Sequence, residues 1–135
     1  MNTKIISDVG VSKIVARAIE LGYSVAMPFG DNQRYDLVIV QGNKPQLVQC
    51  KTGRIRNGIL RGNTCSNDHG SKRIGQNYKG QVDIFLIYCP DNEKIYIASV
   101  DDFPPHKFHL RINPPQVNRK NIRWAKDYEF NGVVA

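Results

Sequence analysis

Apolar residues recur at helical spacing near the start of the chain. Within residues 8–22 they come at intervals of three and four, with charged side chains on the opposite side. The repeating positions are Val11, Ile14, Val15, Ala18 and Ile19. Ser7 or Asp8 is suited to cap the start of a helix, and Gly22 is suited to follow its end. The pattern therefore predicts an amphipathic helix over residues 8–22.

The next two apolar runs predict a pair of strands joined by a turn. Residues 36–40 are rich in β-branched side chains and continuous, which is typical of a strand buried on both faces. Residues 46–52 predict the second strand. Because side chains alternate along a strand, Gln49 and Lys51 should project from the same face. A hairpin would bring Asp36, at the start of the first strand, beside that pair.

The rest of the chain alternates between short strand patterns and turn-rich segments. The predicted elements are, in chain order, a strand over residues 23–27, a loop over 29–35, a turn over 41–45, a strand from Ile59 to Thr64, a loop over 66–71, a helical turn over 74–78, strands over 82–88 and 94–100, and a short packing segment over 122–128. One helix followed by a run of strands predicts an α/β or α+β fold with a mixed sheet. A length of 135 residues predicts a single domain over residues 1–135.

Positive charge is concentrated in one part of the chain. The formal net charge is +7, and residues 1–43 and 80–135 each hold equal numbers of basic and acidic side chains. The whole excess lies between Lys44 and Lys79, where the basic residues face one acid, Asp68. Such a block predicts a surface for a polyanion such as nucleic acid. The alternative is a basic face whose only role is solubility.

Several other classes of protein are disfavoured. No apolar run approaches the ~18 residues that a membrane span needs, so we expect no membrane partner. The N-terminal residues lack the apolar core and cleavage site of a signal peptide. The three cysteines show no CxxC spacing, which predicts a reduced, cytoplasmic setting and argues against zinc.

Three segments together resemble a known family. They are RYDLV at residues 34–38, LVQCKTGRIRNG at residues 47–58 and YKGQVDIFLIYCP at residues 78–90. The pattern resembles the PD-(D/E)XK nucleases and, more narrowly, the small bacterial homing endonucleases of group I introns that carry the restriction-enzyme fold. The resemblance implies a central mixed sheet flanked by helices and metal-dependent cleavage of double-stranded DNA. It also implies a homo-oligomer, either a dimer or a tetramer.

The resemblance assigns the catalytic site to Asp36, Gln49 and Lys51. Asp36 supplies an oxygen ligand suited to Mg²⁺ or Mn²⁺, and Gln49 stands where most of the superfamily has Asp or Glu. The backbone carbonyl of Cys50 would add a third metal ligand between the other two side chains. Lys51 would hydrogen-bond the attacking water and offset the phosphate charge.

The basic block supplies the candidate DNA-binding residues. They are Arg54, Arg56, Asn57, Arg61, Lys72, Arg73 and Lys79. We expect the strand near residues 57–66 and its loop to enter a groove, with charged side chains along the phosphate backbone. His109 lies outside the block and is interpreted as a structural or surface residue, and Trp124 is interpreted as a core anchor.

One helix position departs from the family. Related nucleases often carry a glutamate on the first helix, at the position of Val11 here. Either the chain works without that carboxylate, or Asp8 substitutes for it, or catalysis is impaired. Beside a site-specific homing endonuclease, two alternatives therefore stay open. One is a structure-selective nuclease of the Holliday-junction or repair type, and the other is a DNA-binding relative with impaired catalysis.

Overall fold

A computed structural model describes residues 2–66, 76–78, 80–104, 106–117 and 119–131. The elements in chain order are α1 (Thr3–Glu20), β1 (Ser24–Ala26), β2 (Leu37–Gln41), β3 (Lys44–Thr52), β4 (Arg54–Arg56), β5 (Ile59–Asn63), β6 (Cys65–Ser66), β7 (Gln76–Asn77), β8 (Ile84–Cys89), β9 (Lys94–Ser99), β10 (Lys107–Arg111) and a 3₁₀ helix, η1 (Ala125–Tyr128). Within these ranges no helix is both long enough and apolar enough to cross a membrane.

Helix α1 begins earlier than the apolar pattern predicts. The side chain of Asn2 accepts a hydrogen bond from the backbone N–H of Ile5 at 2.9 Å, which makes Asn2 the N-cap. The prediction of a cap at Ser7 or Asp8 is therefore wrong. The first turn of a helix needs a cap but no buried face, so an apolar stripe marks only the part of the helix that packs on the sheet.

Five strands form the main sheet, in the order β1-β2-β3-β8-β9. β3 and β8 pair in parallel, and the other neighbours pair antiparallel. The predicted mixed sheet is thus confirmed. All six residues of β8 are buried. Its continuous apolar sequence matches a strand that is covered on both faces.

The β2–β3 hairpin is tighter than its sequence suggests. Gln41 pairs with Lys44, so the connection has two residues, and Gly42 adopts a φ of +64° that suits such a turn. The predicted turn over residues 41–45 is therefore too long. In β2, Leu37 and Ile39 are buried, whereas Val38, Val40 and Gln41 are half-buried. Full burial on both faces, as predicted for this strand, belongs instead to β8.

Two hydrophobic cores lie on opposite faces of the main sheet. On one face α1 packs through Ile14 and Ala18 against residues of β2, β3 and β8, including Leu86. On the other face Phe85 and Ile87 of β8 pack against Leu60 of β5 and Phe108 and Leu110 of β10. These last two strands belong to a three-stranded antiparallel sheet in the order β10-β5-β4. In the described residues, this small sheet covers the face that lacks an α-helix.

The remaining predictions are only partly met. β5 ends at Asn63, one residue before the predicted end of its strand. Residues 76–77 form β7, which pairs with β6, so the helical turn predicted over residues 74–78 is wrong there. Most of the predicted loop over residues 66–71 lies outside the described residues. Near the C-terminal end Phe130 is buried, whereas Trp124 is only half-buried and is not the core anchor that the sequence suggested.

Candidate active site

A cleft of about 560 Å³ opens where the first half of α1 meets the ends of β2 and β3. It is lined by Ser7, Asp8, Gly10, Val11, Asp36, Gln49, Cys50, Lys51, Thr52, Asn63 and Tyr78. All three predicted catalytic residues therefore line one cavity. The helix passes close to β3 at Gly10, where a Cβ would lie 3.5 Å from the Thr52 hydroxyl oxygen, an ordinary van der Waals distance.

Asp36 is held by the strand that follows its own. Its backbone N–H donates to the carbonyl of Val48 at 2.8 Å, and its carboxylate Oδ2 accepts from the N–H of Cys50 at 2.8 Å. Burial raises the pKa of Asp36, although the bond from Cys50 and the nearby charge of Lys51 oppose that rise. A partly desolvated carboxylate of this kind gains strongly from a cation placed beside it.

The backbone carbonyl of Cys50 points to the same region. In a strand, the N–H and C=O of one residue face the same neighbouring strand. The N–H of Cys50 is bonded to Asp36 beyond the first residue of β2, so its carbonyl faces that side as well. Burial, and then the Asp36 charge, raise the pKa of the Cys50 thiol.

Gln49 and Lys51 project from the opposite face of β3 to Cys50, as the period of two requires. Val48 and Cys50 pack on the helix side of the sheet, and Leu47 packs on the other side. Gln49 pairs with Phe85 and Lys51 pairs with Ile87 in the parallel ladder with β8. Pairing with the buried strand β8 thus fixes the positions of Gln49 and Lys51 in the cleft.

Tyr78 is a site residue whose role the sequence did not reveal. Its ring is buried and lies edge-on to Phe85, with 6.0 Å between ring centroids. The Nζ of Lys51 lies over this ring at 4.6 Å from its centroid and 3.5 Å from its hydroxyl oxygen. The guanidinium carbon of Arg34 also lies over the ring, at 4.0 Å. Cations are attracted to the face of an aromatic ring, so Tyr78 helps to place Lys51.

The helix brings Val11 and Asp8 to the same cleft. Val11 is half-buried and packs against the core beneath α1. Asp8 lies three residues earlier, and residues at this spacing share one face of a helix. The structure therefore places a carboxylate next to the position where related nucleases often have a glutamate, although on a different residue.

The donors that line the cleft are suited to a hard divalent cation. Asp36, Gln49 and the Cys50 carbonyl offer oxygen atoms, which Mg²⁺ and Mn²⁺ prefer. No group of three or more His, Cys, Asp or Glu side chains within the described residues is arranged to hold a metal ion. This is compatible with Mg²⁺, which keeps several waters and takes further oxygens from phosphate. The three oxygen donors would hold the ion where those phosphate oxygens also reach it.

The predicted DNA-binding residues fall into two groups. Arg54, Arg56 and Arg61 lie on the three-stranded sheet, and Arg54 forms an ion pair with Asp91 at 3.2 Å. Asn57 occupies the turn between β4 and β5 with a φ of +53°. The others, Lys72, Arg73 and Lys79, lie outside the described residues.

Asn63 at the end of β5 also lines the cleft, whereas its sequence context predicted either a DNA contact or a simple loop residue. The sequence signal that it carries is weak, since an asparagine after a basic strand is typical of many loops.

Comparisons with known proteins bear on the family and the fold. The family model described as PD-(D/E)XK endonuclease matches residues 1–131. Among solved structures the chain is similar to a bacterial homing endonuclease, I-Ssp6803I, with a TM-score of 0.78 and 23% sequence identity over 96% of this chain and 89% of that chain. A comparison with curated proteins found no match. Since the family model covers nearly the whole sequence, the resemblance carried by the three segments is confirmed, and this chain belongs to the PD-(D/E)XK endonuclease family.

Proposed function

We propose that the chain is a site-specific endonuclease of double-stranded DNA that requires Mg²⁺ or Mn²⁺. Asp36, Gln49 and Lys51 form its catalytic centre. The observation that carries this proposal is the bond from the N–H of Cys50 to the Asp36 carboxylate at 2.8 Å. This bond holds the carboxylate that precedes β2 at the edge of β3, in the cleft that Gln49 and Lys51 also line.

The residues divide the chemistry among themselves. Asp36, the Gln49 amide oxygen and the Cys50 carbonyl would hold the metal ion, which supplies charge stabilisation and activates water when bound. Lys51 hydrogen-bonds the attacking water and offsets the charge that gathers on the phosphate. Gln49 adds an oxygen without adding charge, so we expect weak metal binding before the scissile phosphate arrives.

The biological setting is also part of the proposal. The fold shared with I-Ssp6803I, a bacterial homing endonuclease, supports an enzyme of the homing type. Its origin in a group I intron is what the resemblance of the three sequence segments implies. We expect a dimer or tetramer, since a long duplex target is contacted by more than one subunit. We also expect a reduced, cytoplasmic protein, because the cysteines show no CxxC spacing.

Cleavage of supercoiled plasmid in Mg²⁺ or Mn²⁺ tests the catalytic centre. We expect Lys51→Ala to lower the rate by about 100-fold or more, the loss that is usual for a group acting in proton transfer. The matched control is Lys44→Ala, because Lys44 is a cation at the other end of the same strand. Equal loss in the two variants would show that Lys51 acts only through charge, and equal activity in all three proteins would refute the site.

Sequencing of the cut ends tests site specificity. A library of plasmids with random inserts should yield one recurring sequence at the ends that the wild type produces. Scattered ends would contradict the homing type. A faster rate on four-way junctions than on linear duplexes would support a structure-selective nuclease instead.

A further inference from the structure

The small sheet has an outer face that consists mainly of basic side chains. Side chains alternate along its strands, and Leu60, Phe108 and Leu110 point into the core. The residues with the opposite orientation are Arg54 and Arg56 on β4, Ile59, Arg61 and Asn63 on β5, and Lys107, His109 and Arg111 on β10. We call this set the outer face. It combines residues of the basic block with Lys107, His109 and Arg111. These three come from a distant segment in which basic and acidic residues are equal in number.

The strand register brings these charges together in rows. Arg61 pairs with Arg54 on one side and with His109 on the other. Neighbouring strands lie about 4.8 Å apart, so like charges in one row repel each other unless an anion is present. The Nε of Arg61 is buried and has no hydrogen-bond partner among the described residues. Burial, and then the charges of Arg61 and Lys107, lower the pKa of His109.

The outer face begins at the edge of the active-site cleft. Asn63 lines the cleft and pairs with Lys107 on β10. From there the face extends along β5 for about 13 Å and across three strands for about 10 Å. The major groove of B-DNA is about 12 Å wide and admits a β-ribbon. A duplex that placed a phosphate in the cleft would therefore pass over this sheet.

We infer that the outer face docks on double-stranded DNA beside the cleft, and that Lys107 and Arg111 of β10 contact its phosphates. The choice of DNA as the ligand rests on the proposed function, whereas the arrangement of the basic side chains does not. Asp91, the acidic residue that pairs with Arg54, lies at the far edge of the sheet from β10. The positive charge of β10 thus remains available to an anionic partner. Docking of the sheet would also position the duplex over Asn63 and the cleft.

Binding to a fluorescent 40-base-pair duplex of random sequence, in EDTA to prevent cleavage, tests this surface. The logarithm of the binding constant falls linearly with the logarithm of the KCl concentration, with a slope of about 0.9 for each phosphate contact. We expect Lys107→Gln and Arg111→Gln each to reduce the slope by about 1, and the double variant to reduce it by about 2. Lys13→Gln removes the same charge from the exposed side of α1, across the main sheet, and should leave the slope unchanged.

The result that would overturn the inference is a double variant with the slope and affinity of Lys13→Gln. Arg111 is half-buried, so if its variant does not fold by circular dichroism, the exposed Lys107→Gln decides the question. Plasmid cleavage by the wild type is measured separately. If the wild type binds through the outer face but never cleaves, the binding surface is supported and the nuclease proposal is refuted. If the wild type cleaves and the variants keep its salt slope, only the binding surface is refuted.

Discussion

The Asp36 carboxylate accepts a hydrogen bond from the backbone N–H of Cys50 at 2.8 Å. The bond crosses from the residue before β2 to the polar half of β3, where the ladder between the two strands has already ended. It fixes the one acidic side chain of the proposed centre relative to Gln49 and Lys51. The position of the Asp36 carboxylate in the site therefore depends on this contact between a side chain and the main chain.

Two substitutions of Asp36 separate its structural role from its chemical one. Asp36→Asn retains a side-chain oxygen that can accept from Cys50, whereas Asp36→Ala leaves this part-buried N–H without that acceptor. We expect the alanine variant to lose about 1–2 kcal/mol of unfolding free energy and the asparagine variant to lose less, measured in urea. Both should lose plasmid cleavage, and an active asparagine variant would contradict the role as metal ligand.

Tyr78 offers a test of how Lys51 is positioned. Tyr78→Phe keeps the ring that lies under the Lys51 ammonium, and Tyr78→Leu removes it. We expect the phenylalanine variant to cleave plasmid within about threefold of wild type. The leucine variant should be at least about fivefold slower, because a cation over a ring is worth about 1 kcal/mol or more.

Phe85→Leu is the matched control for this pair, because it removes a ring from the same core beside Tyr78. It should lower the melting temperature about as much as Tyr78→Leu while retaining the cleavage rate. A similar drop in rate for both leucine variants would mean that core stability, and not the placement of Lys51, limits activity.

The sequence predicted the parts of the site that follow from local periodicity. Gln49 and Lys51 alternate with buried residues on one strand, and a hairpin brings Asp36 next to them, so their meeting could be foreseen. The stack of Lys51 and Arg34 on Tyr78 could not, because it depends on how a loop before β2 and a residue before β8 pack in three dimensions.

The outer face shows a second limit of the sequence. Arg61 and His109 are adjacent only because β5 and β10 pair, and the register of two strands so far apart in the chain is set by tertiary packing. Residues 101–115 contain four prolines, which concealed β10 among turn signals. Charge counted along the chain therefore recorded the β4–β5 part of the surface and omitted the rest.

Gly62 allows β5 to approach the end of β3, and alanine should disturb this contact. A Cβ at position 62 would lie 2.4 Å from the Phe108 ring and 3.1 Å from the carbonyl oxygen of Thr52. We expect Gly62→Ala to cost about 1–3 kcal/mol in urea denaturation, as overpacking usually does. Because Thr52 lines the cleft, plasmid cleavage should also fall.

The double variant Gly62→Ala/Phe108→Leu identifies the source of that strain. Shortening Phe108 removes the closest contact, although the Thr52 carbonyl cannot move aside as a side chain can. We expect the double variant to be more stable than the sum of the two single effects would give. Strictly additive costs would show that the ring at position 108 is not what the new methyl group meets.

The ion pair between Lys94 and Glu129 gives the fold a pH-dependent contribution. Their charged atoms lie 2.6 Å apart, and the bond from Lys94 lowers the pKa of Glu129 below its usual 4.5 against the opposing effect of burial. The unfolded chain therefore binds more protons just below pH 4.5, and stability from this pair is complete above that value and lost as the pH falls through the folded pKa.

Glu129→Gln should accordingly be slightly less stable than wild type at pH 7, with the difference closing in acid. Thermal unfolding between pH 7 and about pH 3 measures this, and the effect should be small because the Lys94 side chain is exposed and solvent screens such a pair. Glu93→Gln, on the exposed turn before β9, controls for the change in net charge. A gap between wild type and Glu129→Gln that widens in acid would contradict the assignment.

Asp8 and Val11 line the cleft from the same side of α1, and only Asp8 can offer a carboxylate. If Asp8 provides the acidic group that related nucleases carry at the Val11 position, Asp8→Asn should lower plasmid cleavage about tenfold and raise the Mg²⁺ concentration required. Val11→Glu in the Asp8→Asn background should restore much of the rate. Val11→Gln in that background should not, because glutamine has the shape of glutamate without its charge. Full activity of Asp8→Asn, together with faster cleavage by Val11→Glu alone, would show instead that the helix of this chain lacks a functional carboxylate.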